Sequence, residues 1–191
     1  MSEFTEKFKR DGYCVVQNAV SPDVVSFITQ YAMFDEMQDF NTSEQVPNAH
    51  AKYADPAMET LMLHMHPQLE EITGLKLYPT YSFFRVYRNG HELTKHTDRP
   101  SCEISTTISF KYNYDSDKFQ WPIYMAGNEV NLNPGDMVVY RGMELEHWRN
   151  PLVYDEPVWH VQAFLHYVDA NGPNADWKYD RRKTPGRLER E

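Results

Sequence analysis

The sequence predicts a mainly β protein, in which N-terminal helices brace an antiparallel jelly roll, also called a double-stranded β-helix. Two observations lead to this fold class. Apolar residues recur at helical spacing in two segments before residue 75, whereas the later segments are short, rich in β-branched and aromatic residues, and separated by turn residues. Many short strands after a helical segment are typical of a jelly roll. We therefore expect a helical brace over about residues 1–74 and a jelly-roll core over about residues 75–168.

Two helices are predicted in the brace. Ser21 and Asp55 each stand directly before a proline, and such residues favour the N-cap and the first turn of a helix. Gly74 is expected to end the second helix, and the polar residues 38–54 between the two helices are expected to form a loop. The apolar residues at helical spacing are Val24, Val25, Ile28, Tyr31 and Ala32 in the first helix, and Met58, Leu61, Met62, Met65, Leu69 and Ile72 in the second.

The rest of the chain predicts a succession of short strands. One strand is expected at residues 13–17, ahead of the helices. Asn89-Gly90 and the segment from Asn133 to Asp136 are turn signals that separate later strands. These later strands are expected near residues 75–79, 81–88, 103–112, 121–125, 129–132, 137–141 and 158–168.

The composition suits one globular domain and excludes several classes of function. Hydrophobic residues make up 41% of the 191 residues, so we expect a single domain over residues 1–177. The formal net charge of −9 argues against a nucleic-acid partner, because phosphate neutralisation needs a basic surface. Residues 178–191 are the exception, with six Lys and Arg against three acidic residues, and we expect them to form a flexible basic tail.

The cysteine content and the hydropathy pattern indicate a reducing compartment. Cys14 and Cys102 are far apart and form no Cys-x-x-Cys motif, so we expect buried, reduced thiols and neither a disulfide framework nor a thiolate zinc site. No segment approaches the roughly 20 apolar residues that cross a bilayer, and the N-terminus lacks the apolar segment of a signal peptide. We therefore expect a cytoplasmic protein with no membrane partner.

The clearest chemical motif is His96-Thr97-Asp98. On a strand, or on a tight turn off one, residues i and i+2 point the same way, so an imidazole and a carboxylate can share one metal ion. His147 lies 51 residues further on and ends another predicted strand, and a jelly roll could bring it to the same place. Two histidines and one carboxylate leave three metal positions open, which is the arrangement of non-haem Fe(II) oxygenases.

With these residues the sequence resembles the Fe(II)/2-oxoglutarate-dependent dioxygenase superfamily. The segment from Arg85 to Asp98, followed later by His147, is similar to the prolyl-4-hydroxylase-like branch. Residues 8–16 are similar to the start of phytanoyl-CoA-dioxygenase-like chains. The resemblance covers about residues 8–168. It implies a cupin-like double-stranded β-helix that uses Fe(II), 2-oxoglutarate and O2.

The resemblance also implies roles for individual residues. His96, Asp98 and His147 would bind Fe(II), and Tyr87, nine residues before His96, would contact 2-oxoglutarate. The far carboxylate of 2-oxoglutarate needs a cation. Many members of the superfamily supply it roughly ten residues after the second histidine, but residues 154–158 of this chain contain no basic residue.

Three basic residues are candidates for that carboxylate. Lys111 lies on the strand predicted after the His-x-Asp motif, where some branches of the superfamily use a lysine. Arg149 lies two residues after His147 and could share its face. Arg85, on the predicted strand of Tyr87 and facing the same way, is the third candidate.

Further residues are candidates for substrate contact. Arg99 either meets a substrate carboxylate or pairs with Glu103, and Trp148 either lines a substrate pocket or packs in the core. His160 and His166 fall on one side of the last predicted strand, and this side faces either the barrel interior or an ordinary core.

The expected activity is that of a 2-oxoglutarate-dependent hydroxylase, which releases succinate and CO2 as it oxidises a small molecule or a peptide side chain. Two alternatives remain open. A cupin-like metal enzyme that does not use 2-oxoglutarate would be favoured if Lys111, Arg149 and Arg85 all faced solvent. A non-catalytic jelly-roll module, in which aromatic residues grip a sugar, would show no metal dependence.

Overall fold

Two antiparallel sheets face each other, and three helices pack on the outer side of the larger sheet. This arrangement is that of a computed structural model, which describes residues 2–186. It confirms the predicted fold class of a jelly roll with N-terminal helices. The helices are α1 (Glu3–Asp11), α2 (Pro22–Gln38) and α3 (Pro56–Thr73).

The ten strands divide six to four between the sheets. The larger sheet has the strand order β1-β8-β5-β10-β3-β2, and the smaller sheet has the order β4-β9-β6-β7. The strands are β1 (Tyr13–Val16), β2 (His50–Tyr53), β3 (Leu77–Arg88), β4 (Leu93–His96), β5 (Ile104–Tyr112), β6 (Ile123–Met125), β7 (Asn128–Val130), β8 (Met137–Arg141), β9 (His147–Arg149) and β10 (Trp159–Asp169).

The helix boundaries follow from the capping residues. Helix α3 begins where the Asp55 carboxylate accepts hydrogen bonds from the backbone N–H groups of Ala57 and Met58, at 2.9 and 3.3 Å. It ends at Gly74, whose φ of 71° is a left-handed conformation that glycine adopts without strain. Helix α1 was not predicted, although Ser2 caps it by accepting a hydrogen bond from the backbone N–H of Thr5.

The two faces of the larger sheet differ sharply in polarity. The outer face packs its apolar side chains against α2 and α3, as Phe84, Ile108 and Leu165 do. The inner face carries polar side chains that are nevertheless buried: Arg85, Ser105, Thr107, Ser109, His160, Gln162 and His166. Because side chains alternate along a strand, each strand supplies both faces. The polar interior between the two sheets is therefore where a ligand site can form.

A bulge in β5 decides the position of Lys111. Gln162 of β10 lies opposite Ser109, but its neighbour Val161 lies opposite Lys111, so the register shifts by one residue there. Directly opposite residues share a face, and Val161 belongs to the outer, helix-facing core. The bulge therefore turns Lys111 outward, and its side chain is exposed. Strict alternation along β5 would have placed Lys111 inside with Ser109.

Residues 178–186 belong to the predicted flexible tail, and they pack against the domain. Asp180 accepts two hydrogen bonds from Arg99, at 3.0 and 2.8 Å, and a third from the Tyr53 hydroxyl at 2.6 Å. Arg182 forms an ion pair with the buried Glu59 at 2.9 Å. These contacts hold residues 178–186, and the rest of the predicted tail lies outside the described residues.

Two expectations about buried groups and membranes can be compared with the structure. Cys14 and Cys102 are both buried and unpaired, as predicted. Burial raises the pKa of Cys14 to about 11 and that of Cys102 to about 12, so both are thiols at neutral pH. Across residues 2–186, no helix has the length and apolar character needed to cross a membrane.

Candidate active site

Three side chains that the sequence identifies as metal ligands meet at one end of the interior. His96 ends β4 and His147 begins β9, and the two residues are directly paired in the antiparallel ladder. Asp98, just beyond β4, places Oδ1 3.6 Å from the Nε2 atom of each histidine. One ligand atom of each residue lies within 4.8 Å of the other two. A single ion with bonds of about 2 Å can reach all three atoms.

The backbone orients both imidazoles. The Nδ1 atom of His96 is 2.7 Å from the carbonyl oxygen of Thr94, and that of His147 is 2.9 Å from the carbonyl oxygen of Leu145. A carbonyl oxygen can only accept, so each Nδ1 carries the proton and donates it. The lone pair of each histidine is then on Nε2, the atom that faces Asp98. This is the arrangement by which proteins orient metal-binding histidines.

The protonation states also suit a metal ion. Burial by itself raises the pKa of Asp98, but the interactions with the nearby His96, His166 and His147 outweigh it, so the pKa is lowered. Burial lowers the pKa of His147. At neutral pH Asp98 is therefore a carboxylate and His147 is neutral. Both are the forms that bind metals.

Asp98 forms hydrogen bonds with a residue of β5 and with a residue of the turn after β8. The Ser105 hydroxyl donates to Asp98 Oδ2 at 2.8 Å, and the backbone N–H of Asp98 donates to the carbonyl oxygen of Gly142 at 2.8 Å. A Cβ atom on Gly142 would lie 2.3 Å from Asp98 Oδ2 and 2.3 Å from the carbonyl oxygen of Cys102. Only glycine at residue 142 leaves room for this carboxylate.

Arg149 lies two residues beyond His147 on β9 and faces the same interior. The two residues are on one face of β9, and Arg149 is only 2% exposed. Its guanidinium donates to the carbonyl oxygen of Trp121 at 2.5 Å and packs over the indole ring at 4.5 Å. Its Nε has no hydrogen-bond partner, and Arg149 forms no ion pair with any residue among 2–186. Burial lowers its pKa to about 10, which leaves a charged guanidinium at neutral pH without a counter-charge.

Tyr87 and Arg85 face this interior from the larger sheet. Tyr87 lies opposite His160 and Arg85 lies opposite Gln162 in the β3–β10 ladder. All four side chains are buried. Arg85 Nη1 donates to the Tyr87 hydroxyl oxygen at 2.9 Å, which leaves the Tyr87 hydroxyl proton free to donate elsewhere.

Three further candidates lie away from the interior. Lys111 is exposed on the outer face because of the β5 bulge. Trp148 lies between the inward-facing His147 and Arg149, so alternation turns it outward, where it stacks on Tyr124 with ring centroids 5.0 Å apart. Arg99 forms an ion pair with Asp180 and not with Glu103, one of the two partners that the sequence suggested. It is not among the residues that line the cavity beside the candidate ligands.

His160 and His166 both face the barrel interior. The Ser109 hydroxyl lies 2.9 Å from Nε2 of His160, and the Ser105 hydroxyl lies 2.9 Å from Nδ1 of His166. Burial lowers the pKa of His166 to about 4. Burial also holds the pKa of His160 well below its usual value, and the charge of Arg149 adds to the effect. Both are therefore neutral polar residues of the interior at physiological pH.

A cavity of about 190 Å³ adjoins the three candidate ligands. The sequence identified five of its lining residues in advance: the three candidate ligands, Arg85 and His166. Tyr81 and Phe83 could have been found by extending the alternation of Arg85 and Tyr87 back along β3. Nothing in the local sequence pattern predicts that the loop residues Ser43 and Gln45 line the cavity. The cavity is lined by Ser43, Gln45, Tyr81, Phe83, Arg85, Leu93, His96, Asp98, Tyr140, His147, Phe164 and His166.

Comparisons with known proteins agree on the architecture. No protein-family model matches the sequence, and no curated protein matches it. Solved structures do match. A prolyl-4-hydroxylase from Pseudomonas putida aligns with a TM-score of 0.61 at 16% identity, over 85% of this chain and 96% of the other. The carbocyclase SnoK from nogalamycin biosynthesis aligns with a TM-score of 0.70 at 14% identity, over 100% and 94%.

A third match contains ligands. The epimerase SnoN, in complex with Fe3+, α-ketoglutarate and nogalamycin RO, aligns with a TM-score of 0.69 at 14% identity, over 87% of this chain and 82% of the other. This chain has the fold of the 2-oxoglutarate-dependent oxygenases. Within the three structures the same fold serves a hydroxylase, a carbocyclase and an epimerase.

Within this fold, the donor set at the end of the barrel fits an oxygenase metal. Two imidazole Nε2 atoms and one carboxylate oxygen on one face are the protein ligands of non-haem Fe(II) oxygenases, and they leave positions open for other ligands. In the structure the His96 lone pair accepts a hydrogen bond from the Gln45 amide, with the two nitrogen atoms 3.0 Å apart. A metal ion on Nε2 would take this lone pair and displace the amide.

Proposed function

We propose that this chain is an Fe(II)- and 2-oxoglutarate-dependent oxygenase and that it acts as a hydroxylase. One observation carries the proposal. The His96–Asp98–His147 cluster shares its interior with Arg149, a buried guanidinium that has no counter-charge among residues 2–186. A buried cation is costly unless an anion pairs with it. The far carboxylate of 2-oxoglutarate would supply that anion.

The metal-binding residues are His96, Asp98 and His147. Their Nε2 atoms and carboxylate would hold Fe(II), while the Thr94 and Leu145 carbonyl groups keep the two rings in orientation. With Fe(II) and 2-oxoglutarate bound, the site would oxidise a substrate C–H bond with O2 and release succinate and CO2. The protein itself contributes a fixed ligand set with open positions and a buried setting.

Arg149 and Tyr87 are the residues that we assign to 2-oxoglutarate. Arg149 Nε has no partner, and a carboxylate placed against it would complete its hydrogen bonding. Tyr87 packs its ring 4.9 Å from that of Trp121, the residue on which Arg149 stacks, so the two side chains approach the same region. The hydroxyl proton of Tyr87 is free to donate to the same carboxylate, since Arg85 already donates to its oxygen.

The buried position of Arg149 favours this reading over a cupin-like enzyme that does not use 2-oxoglutarate. Such an enzyme has no need for an unpaired guanidinium inside the barrel. A sugar-binding module is not favoured either, because it has no use for two backbone-oriented histidines beside a carboxylate.

The test is 2-oxoglutarate turnover by purified protein loaded with Fe(II). We expect slow succinate release in the absence of substrate and faster release when a substrate is added. His96→Ala should abolish it, whereas His64→Ala, a change at an exposed histidine of α3, should not. Titration calorimetry with Mn(II) and 2-oxoglutarate gives an independent readout, because binding needs no turnover. A protein that binds Mn(II) but neither binds 2-oxoglutarate nor releases succinate would overturn the proposal.

A further inference from the structure

The interior contains a second buried arginine that the proposed cosubstrate does not use. Arg85 is 1% exposed and forms no ion pair with any residue between 2 and 186. If Arg149 binds the far carboxylate of 2-oxoglutarate, the positive charge of Arg85 still has no anionic partner. Two unpaired buried guanidinium groups in one interior point to two anions.

The hydrogen bonds of Arg85 leave one edge of its guanidinium partly open. Nη1 donates to the Tyr87 hydroxyl, and Nη2 donates to Ser43 Oγ at 3.2 Å and to Gln45 Oε1 at 3.0 Å. Nε is buried and has no partner. Nε and Nη2 lie on the same edge of a guanidinium, the edge that binds a carboxylate through two parallel hydrogen bonds. Nε is free, and once a ligand replaces the Nη2 contact with Gln45, this edge matches a flat, two-oxygen anion.

Arg85 and Arg149 differ in their relation to the cavity. Arg85 lines the cavity beside the three metal-ligand candidates, and Arg149 is not one of its lining residues. No other arginine or lysine lines it. Phe83 and Phe164 form the surface next to the guanidinium, with their ring centroids 5.2 and 5.6 Å from Cζ of Arg85. A molecule in this cavity would meet one cation and an aromatic wall.

Gln45 shows how close the two ends of this cavity are. Its amide nitrogen lies 3.0 Å from Nε2 of His96, and its amide oxygen accepts from Arg85 at 3.0 Å. One carboxamide thus spans the gap between a metal-ligand atom and the open edge of Arg85. A metal ion bound to His96 Nε2 would displace the contact between Gln45 and His96. A ligand whose anionic group replaces Gln45 at Arg85 would then have only a few bonds between that group and the metal.

We propose that the Nε–Nη2 edge of Arg85 binds the carboxylate of the primary substrate, which is a small carboxylic acid with an apolar body. This inference rests on the proposed function, because it takes Arg149 as the 2-oxoglutarate ligand. The reacting carbon lies a few bonds from the carboxylate, as it does in amino acids and hydroxy acids. A phosphate group fits less well, since its third oxygen would find no second cation among the lining residues.

The first experiment uses matched acid and amide probes. Wild-type protein loaded with Mn(II), without 2-oxoglutarate, is titrated with free amino acids, 2-hydroxy acids and simple aliphatic and aromatic acids, each paired with its primary amide. We expect at least one acid to bind and its amide to bind roughly tenfold more weakly or worse, because the amide removes the charge. A tripeptide with the same C-terminal residue serves as a further arm. Equal binding of acids and amides, no binding of any acid, or tighter binding of the tripeptide would overturn the proposal.

The second experiment separates the two arginines. Arg85→Lys keeps a charge and a donor near Tyr87 but loses the bidentate Nε–Nη2 edge. It should therefore weaken the binding of the acid probe by roughly tenfold and the binding of 2-oxoglutarate by less than about threefold. Arg149→Met should show the reverse pattern. If Arg85→Lys instead loses 2-oxoglutarate and Arg149→Met keeps it, Arg85 is the cosubstrate ligand and the inference fails. Wild-type protein that binds the acid but not 2-oxoglutarate would overturn the proposed function alone.

Discussion

His96 and His147 lie directly opposite each other on β4 and β9, and Asp98 Oδ1 is 3.6 Å from the Nε2 atom of each. This cross-strand pairing brings together two histidines that are 51 residues apart in the sequence. Each ring is fixed by a backbone carbonyl two residues before it in the chain. The site is therefore ordered by backbone hydrogen bonds that need no metal ion.

Removal of any one of these three side chains should abolish tight metal binding. We expect His96→Ala, Asp98→Ala and His147→Ala each to lower the affinity for Mn(II) or Fe(II) by roughly 100-fold or more, since two remaining ligands form a weak site. Titration calorimetry under anaerobic conditions measures the affinity. His64→Ala is the matched control, because His64 is exposed on α3. A triad variant with wild-type metal affinity would show that the ion binds elsewhere.

Gly142→Ala should damage the metal site without removing a ligand. The added Cβ would lie 2.3 Å from both Asp98 Oδ2 and the carbonyl oxygen of Cys102, so the carboxylate or the backbone has to move. We expect a loss of about 1–3 kcal/mol in the free energy of unfolding together with weaker metal binding. Thermal unfolding in the presence of a chelator gives the first quantity, and titration calorimetry gives the second. Unchanged metal affinity would mean that Asp98 is free to adjust.

Arg149→Met should weaken the binding of 2-oxoglutarate, whereas Lys111→Met should not. Arg149 is buried in the interior, whereas the β5 bulge places Lys111 on the surface. We expect Arg149→Met to weaken 2-oxoglutarate binding by roughly 100-fold, as loss of a charge-assisted bidentate contact does, and Lys111→Met to leave it unchanged.

Arg149→Met should also stabilise the protein in the absence of 2-oxoglutarate. Burial lowers the Arg149 pKa to about 10, which means that the folded state disfavours the charged form that exists at neutral pH. An apolar side chain of similar length removes this penalty, so Tm should rise by a few degrees. Wild-type protein should gain stability from 2-oxoglutarate and the variant should not. A variant that is strongly destabilised would indicate that Trp121 depends on the guanidinium for packing.

Loss of Arg182 should destabilise the domain far more than loss of its neighbour. Arg182 pairs with Glu59, which is 2% exposed, and Arg182→Ala would leave this carboxylate buried without its cation. The expected cost is about 3 kcal/mol or more in the free energy of unfolding. Arg181→Ala removes an exposed ion pair with Asp176, and its effect should stay within about 0.5 kcal/mol. Urea denaturation compares the two variants, and equal effects would contradict the role of residues 178–186 in holding the fold.

The metal-free protein should lose stability as the pH falls from 7 to 5. Burial lowers the pKa of His166 to about 4 and holds that of His160 well below its usual value. The unfolded chain therefore takes up protons near pH 6.5 that the folded chain does not, and the free energy of unfolding decreases. His166→Gln should flatten this slope, whereas His64→Gln should not. Chemical denaturation across this pH range measures the slope, and a flat wild-type profile would contradict the assignment.

The two predicted helices, most of the strands and the candidate metal ligands were accessible from the sequence because they depend on local patterns. A capping residue before a proline sets the start of α2 and of α3, and glycine ends α3. The spacing of the His-x-Asp motif predicts that its two side chains lie on the same side, since residues i and i+2 on extended backbone point the same way. Helix α1 and the short strands β2 and β4 were missed, because each is brief and is stabilised by its partners more than by its own sequence. His147 begins the short strand β9, whereas the sequence predicted that it ends a strand.

Only the tertiary structure separates the exposed Lys111 from the buried Arg149 and Arg85. Alternation along the strands points all three inward, and one bulge in β5 reverses the first of them. A bulge depends on the register between two strands that are distant in the chain, so no local pattern reports it. The loop that brings Ser43 and Gln45 to Arg85 likewise follows from how the chain folds back over the barrel. The sequence by itself thus determined which side chains could do the chemistry. Only long-range packing determined which of them share an interior, because burial and charge pairing depend on neighbours far apart in the chain.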